Sequence, residues 1–300
     1  MRAVESFRRK RADEIERMRE AGRILGACLA HLAEQTRPGI TPLDLDREAE
    51  TFIRDHRCVP GFIGYNGYPN SLCVSINNEV VHGIPTDRVI EEGDLVSLDC
   101  GLILEGWWAD SGLSICAGEP DAEVRRLLDV TEEALRRGID AARPGGFLGD
   151  IGHAVQSHVE AAGFSVVRQY VGHGIGRNMH EAPQVPNYGR PGTGNLIKPG
   201  LVIAIEPMVN AGGAETRVLE DGWTVVTVDG RRSCYFEHTV AITEAGPEVL
   251  TARPQPATAG GVRGEPQPGP ARWYTLSPWL PGSPIRRARW RGLTSRSWGG

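Results

Sequence analysis

Three observations on the 300-residue chain predict an α/β (α+β) protein built on an antiparallel sheet. Helix-period segments and short strand-like apolar runs are mixed along the chain. An Asp229–Gly230 pair between two strand-like runs reads as a hairpin turn, which argues against a doubly wound parallel sheet. The chain also echoes itself. His82–Gly83–Ile84 is followed by Gly93 and the apolar run Leu95–Leu98 ending in Asp99. His173–Gly174–Ile175 is followed by Gly200 and the apolar run Leu201–Ile205 ending in Glu206. A further carboxylate follows on another strand each time, Asp110 and then Glu237. Four features repeating in order predict two related halves that face each other.

The elements follow in chain order. Ile15, Met18, Gly22, Leu25, Leu29 and Leu32 recur at three- and four-residue steps, the pattern of an amphipathic helix that ends near Arg37–Pro38–Gly39. Thr41 caps a second helix, with Pro42 at its first position and Asp44 three residues after the cap. Further helices are predicted over Ala122–Ala142 and Gly149–Ala162. Strands are predicted at Leu72–Ile76, Leu95–Leu98, Leu113–Ala117, Ser165–Tyr170, Leu201–Ile205, Thr224–Val228 and Tyr235–Ile242.

Composition is that of an ordinary soluble protein, with no apolar run near bilayer length. The N-terminus carries basic residues without an apolar stretch behind them, so the expected location is cytoplasmic. Six cysteines are scattered without a CxxC pair, which predicts free thiols and no thiolate metal site. Net charge is −5, unevenly spread: from Thr251 onward eight arginines face one glutamate, Glu265. This part, rich in Pro, Gly, Arg and Trp, has no periodic apolar pattern. The expected organisation is one folded unit over 1–250 and a tail over 251–300 that does not pack as a domain.

Asp99 and Glu206 each end an apolar strand, where a carboxylate is poorly solvated and wants a cation or a hydrogen-bonding network. If the halves face each other, four carboxylates converge, repel, and raise each other's pKa. Two divalent cations offset that charge. Four carboxylates and one imidazole form a mostly hard donor set that suits Mn²⁺, Fe²⁺, Co²⁺ or Zn²⁺. The segment VGHGIGRNMHEAP (Val171–Pro183) carries His173 and His180. Its three glycines make a helix expensive, at about 1 kcal/mol each relative to alanine, so a glycine-rich turn is expected.

The ordered set VHGIP, LDCG, the Asp110 segment, GHGIGRNMHE, IEPM and FEHT resembles the bacterial type I methionine aminopeptidases, over about Ala12–Leu250. That resemblance implies the pita-bread fold: two pseudo-symmetric halves around a curved antiparallel sheet with helices outside. It implies two divalent ions per chain (Co, Mn, Fe or Zn) on Asp99, Asp110, His173, Glu206 and Glu237, with Asp110 and Glu237 bridging. It assigns His82 and His180 to substrate contact and places Phe62, Tyr65, Tyr68, Cys73, Met179 and Trp223 around the methionine side chain. The implied reaction removes N-terminal methionine when the second residue is small, by attack of a metal-bridging hydroxide. His180 would then donate to the oxyanion, Glu206 would shuttle the proton, and His82 would hold the leaving nitrogen. The implied partners are nascent polypeptides with N-terminal methionine, with the ribosome as a transient contact. No DNA or membrane is implied, and the chain is expected to be a monomer. Departures from the common pattern are Phe62 (often cysteine), Met179 (often phenylalanine) and Trp108–Ala109 (often His-Gly), all in the pocket wall or behind the ligands.

His31, His56, His153 and His158 are read as ordinary polar residues. His238, next to Glu237, should point to the opposite strand face. Two rival functions share the fold: a proline-specific aminopeptidase or dipeptidase, and a binding protein that has lost catalysis. The first usually carries a separate N-terminal domain, for which the first motif here comes too early. The second predicts decayed ligands, and all five positions match.

Overall fold

The computed structural model describes residues 7–254; the expectations for the rest of the tail lie outside the described residues. The chain enters through α1 (Ala12–Gln35) and α2 (Pro42–Asp55). α1 buries Ile15, Met18, Leu25, Leu29 and Leu32. α2 starts where the cap signal places it: the Thr41 hydroxyl accepts from the Asp44 amide at 3.2 Å, and the Asp44 carboxylate accepts from the Thr41 amide at 3.0 Å. This reciprocal pairing satisfies two of the helix's orphan donors.

The strands of the first half are β1 (Val59–Pro60), β2 (Leu72–Ile76), β3 (Glu79–Val81), β4 (Leu95–Leu104) and β5 (Trp107–Cys116). Helices α3 (Ala122–Ala141) and α4 (Leu148–Ala161) follow. The second half then contributes β6 (Ser165–Val166), β7 (Gly172–Gly174), β8 (Glu181–Val185), β9 (Val202–Ile205) and β10 (Met208–Asn210). It ends with β11 (Thr216–Val218), β12 (Val225–Thr227), β13 (Ser233–Tyr235), β14 (Glu237–Thr243) and β15 (Gly246–Val249).

The main sheet runs β1-β4-β5-β14-β9-β7-β8, with β2 also on β4 and β15 also on β14. Its ladders are antiparallel throughout. First-half strands occupy one side and second-half strands the other. They meet at β5 and β14 through two pairs, Glu237 opposite Gly112 and His238 opposite Ser111. α1 packs on β4 and β5, while α3 and α4 pack on each other and on the second half. This is the curved antiparallel sheet with outer helices of the pita-bread fold.

Three local expectations differ. Asp229–Gly230 does make a turn, with the Asp229 carboxylate accepting from the Arg231 and Gly213 amides. The strands on either side diverge, however: β12 pairs with β11 and β3, and β13 pairs with β10. Turn chemistry acts over a few residues, whereas the choice of partner strand is made by distant burial. The run Tyr235–Ile242 is broken at Phe236, so β13 and β14 lie in different sheets. Ser165–Tyr170 is a strand only over its first two residues. The longest hairpin, β4–β5, turns instead at Glu105–Gly106, both with positive φ, the backbone of a two-residue turn matched to strand twist.

Packing continues past Leu250. Thr251 is fully buried; its hydroxyl accepts from the Thr239 amide at 3.1 Å and meets His238 Nδ1 at 2.9 Å. The Arg253 guanidinium reaches between β5 and β14 and donates to the Gly112 carbonyl at 2.5 Å.

Candidate metal centre and substrate cavity

Strand pairing sets out the carboxylates. Asp99 on β4 lies opposite Gly112 on β5, and on the other side of Gly112 lies Glu237 at the start of β14. Directly paired residues share a sheet face, so Asp99 and Glu237 flank a glycine on the same face. Asp110, two residues before Gly112, is on that face as well. Thr239 holds the backbone at Asp110: its hydroxyl accepts from the Asp110 amide at 3.1 Å and donates to the Asp110 carbonyl at 2.7 Å. Glu206 follows the last residue of β9 and precedes Pro207, which has no amide to continue a ladder. The Asn187 side chain donates to the Glu206 carbonyl at 2.9 Å.

His173 lies on β7, between β9 and β8, and so on a strand where a turn was expected. The flanking glycines are still required. A Cβ at Gly172 would lie 2.4 Å from the Ala204 carbonyl oxygen, and one at Gly174 would lie 2.3 Å from that of Ala182. The His173 ring places Nδ1 3.0 Å from the Gly174 carbonyl. A carbonyl can only accept, so Nδ1 carries the proton and Nε2 is left with its lone pair. Nε2 is 3.5 Å from Glu206 Oε1 and 3.9 Å from Asp110 Oδ2. Ligand atoms of Asp110, His173 and Glu237 all lie within 4.8 Å of one another.

The donor set fits a divalent cation. One oxygen each of Asp99, Asp110 and Glu237 is buried without a hydrogen-bond partner, which is costly unless something positive completes it. Burial pushes the Asp110 carboxyl up to about 7. Burial first, and then neighbouring carboxylates, raise Asp99, Glu206 and Glu237 well above the usual carboxylate range. Burial also holds His173 down, to about 4, so its ring is neutral at pH 7, the form that can bind a cation.

All the expected ligand positions, with His82, His180 and the expected pocket residues, line one cavity of about 210 Å³. Tyr68 stands edge-on to Phe62 and Trp223 at 6.4 and 5.1 Å. Cys73 faces in from β2, opposite Asp99. Met179 is buried, and Tyr65 at the mouth is braced edge-on by Trp108 at 5.8 Å. The Tyr65 hydroxyl meets His180 Nδ1 at 2.7 Å, and the His173 and His180 rings are 4.3 Å apart. The turn carrying Met179 and His180 is clamped by Glu181, which accepts from the Arg177 and Asn178 amides and from buried Lys10 at 2.8 Å. His82 sits at φ +62, a conformation that costs a non-glycine residue on the order of 1–3 kcal/mol. It stands edge-on to Tyr170 and Trp223, and burial lowers it to about 4. His238 turns to Thr251, away from this cavity.

Six lining residues escaped sequence reasoning, Asn66, Val81, Tyr170, Val171, Met208 and Tyr235, and two of them are aromatic. Each of those two lies close to a motif histidine or carboxylate, and Tyr235 is two residues before Glu237, a spacing that on an extended chain implies a shared face.

The antiparallel two-half fold and the buried oxygen-rich cluster define a metallopeptidase-type centre. Residues 16–244 match metallopeptidase family M24, and the chain belongs to that family. Methionine aminopeptidase 1 of Bacillus subtilis (strain 168) is 50% identical over 238 residues, 79% of this chain and 96% of that protein. The crystal structure of methionine aminopeptidase from Thermotoga maritima superposes with a TM-score of 0.81 at 45% identity, covering 83% of this chain and 100% of that one. The Rickettsia prowazekii methionine aminopeptidase structure gives a TM-score of 0.81 at 40% identity, over 82% of this chain and 100% of that one. The resemblance drawn from the ordered motifs is borne out, and the two rival functions are not favoured. No helix among the described residues is long and apolar enough to cross a membrane.

Proposed function

We propose that this cavity removes the N-terminal methionine of polypeptides, and that Asp99, Asp110, His173, Glu206 and Glu237 would hold two divalent ions there. The observation that carries this reading is the convergence of three buried, partnerless carboxylate oxygens on the floor of an apolar, aromatic-walled cavity. The methionine side chain fits among Phe62, Tyr68, Cys73, Met179 and Trp223. The closed end of the pocket would limit the second residue to small side chains. Mostly oxygen donors with one imidazole suit Mn²⁺, Fe²⁺, Co²⁺ or Zn²⁺. Action in the cytoplasm, as a monomer on nascent chains at the ribosome, belongs to this proposal and rests on the resemblance.

Bound metal supplies a water whose pKa is drawn toward 7 and so a nucleophile at neutral pH. In the tautomer where the Tyr65 hydroxyl donates to Nδ1, the His180 proton is on Nε2, ready for a carbonyl oxygen that gains charge. Loss of such a donor typically costs ~10²–10³ in rate. Glu206, beside the reacting centre, takes a proton and passes it to the leaving amine. His82, neutral at pH 7, accepts a hydrogen bond from the nitrogen of the cleaved bond.

The test is an assay on a Met-Ala-Ser peptide with the full chain, stripped by chelation and resupplied with single metals. Release of free methionine restored by Mn²⁺ or Co²⁺ is expected. Absence of release with all of Mn²⁺, Co²⁺, Fe²⁺ and Zn²⁺ would overturn the reading.

A further inference from the structure

Gly112 is the middle of a three-strand row, with Asp99 on one side and Glu237 on the other. The place where its side chain would stand is filled by Tyr235: a Cβ on Gly112 would lie 2.1 Å from Tyr235 Cε1. Tyr235 is held there by its backbone. The Ser114 hydroxyl, two residues along the same strand, accepts from the Tyr235 amide at 2.9 Å and donates to its carbonyl at 2.8 Å. The Ser97 hydroxyl, 2.6 Å away, fixes Ser114 in turn. The fully buried ring therefore lies between two carboxylate-bearing strands, and its hydroxyl donates to Glu237 Oε2 at 2.5 Å. The other oxygen, Oε1, is left without a partner.

We infer that Tyr235, seated on Gly112, is a positioning residue that orients the Glu237 carboxylate toward the metal pair. This rests on the reading of Glu237 as a ligand. The physical case is one of preorganisation. A carboxylate with both oxygens free samples several rotamers; one oxygen tied to a phenol that cannot move presents the other in a single direction. Partners of this kind, one bond behind a ligand, are typically worth 10- to 100-fold in metal affinity. The tyrosine hydroxyl has no other function in the packing, because the ring alone fills the space over Gly112.

Tyr235→Phe tests this without emptying the site. Mn²⁺ is titrated calorimetrically into the chelator-stripped full chain, and the visible spectrum of the Co²⁺-loaded chain is recorded beside it. At least tenfold weaker Mn²⁺ binding by Y235F is expected, together with an altered Co²⁺ ligand-field band. Gly112→Ala, which keeps the hydroxyl but pushes the ring aside, should shift affinity in the same direction. Y235F binding Mn²⁺ as tightly as the parent, or more tightly, would make the tyrosine a mere filler and overturn the inference. Glu237→Ala separates the two levels. If E237A also binds like the parent, Glu237 is no ligand and the functional reading fails. If E237A loses binding while Y235F does not, only the positioning role fails.

Discussion

In the N-terminal half, Asp99 and Asp110 ride on one hairpin whose pairing runs unbroken from Leu95 opposite Cys116 to Leu104 opposite Trp107. In the C-terminal half, Glu206 and Glu237 sit at the ends of β9 and β14, which share four pairs. His173 stands on a three-residue strand with a register shift beside it. The first half thus sets out its carboxylates on one continuous backbone ladder. The second half has no such ladder, and its junction with the first is tied by side chains: the Thr239 hydroxyl on Asp110, Thr251 on Thr239 and His238, and the Arg253 guanidinium on Gly112, Ser111 and the Glu237 carbonyl. Two halves with the same order of motifs therefore reach one site by different physics. A long ladder is robust to single side-chain losses, whereas a set of short strands depends on each tie.

The widest separation between the halves is expected in catalysis. If Glu206 moves a proton as well as binding metal, Glu206→Gln should lower kcat on a Met-Ala-Ser peptide by about 10²- to 10⁴-fold while Mn²⁺ still binds. Asp99→Asn should act through lost metal affinity. Near-normal kcat in E206Q would remove the functional side of the contrast.

The next effect is on stability. Arg253→Met strips a charged donor from buried carbonyls and should cost about 2–3 kcal/mol in urea unfolding. Ser97→Ala in the first half, which loses one neutral hydrogen bond, should cost about 1 kcal/mol. A chain ending at Leu250 lacks both Thr251 and Arg253 and should be as unstable as R253M or more so. One ending at Pro254 should match the full chain. Equal stability for the two truncations would break the comparison.

The smallest effect is the pH response of the metal-free chain. Asp99, Asp110, Glu206 and Glu237 have folded pKa values above their unfolded ones. Their contribution is complete below the unfolded carboxylate pKa and fades as pH rises through the folded values. His82 and His173 are shifted down, to about 4, so their contribution is present above about pH 6.5 and lost as pH falls toward 4. From pH 6.5 to 8 the carboxylates lose their contribution while the histidines complete theirs, so the difference between the metal-free parent and Asp110→Asn isolates the carboxylate. That difference should shrink by on the order of 1 kcal/mol across the window, read by thermal unfolding. A difference that stays constant would count against the clustered charges.

Much of the fold was legible wherever local chemistry decides. The Thr41–Asp44 cap, the α1 periodicity and the Leu72–Ile76 strand are short-range features, and each stands where the sequence places it. Eight of the thirteen expected site positions lie within the ordered motifs, the other five follow from the resemblance those motifs carry, and all thirteen line one cavity. Legibility ended where partners are distant. The Asp229–Gly230 turn carries no information about which sheet each flanking strand joins. Nothing in Tyr235 taken alone says that its ring will replace the missing side chain of Gly112. Compositional bias put a boundary at Leu250, yet the buried hydroxyl of Thr251 and guanidinium of Arg253 complete the pairing of β5 with β14.

By itself the sequence determined the helices, most strand positions and the family, because period and capping act through neighbours along the chain and the family is carried by short ordered motifs. Only the tertiary structure decided how the halves meet, which oxygens are left partnerless and which side chains hold the ligands in place. Those depend on cross-strand register and on contacts between residues far apart in the chain, and register is set by burial of the whole sheet.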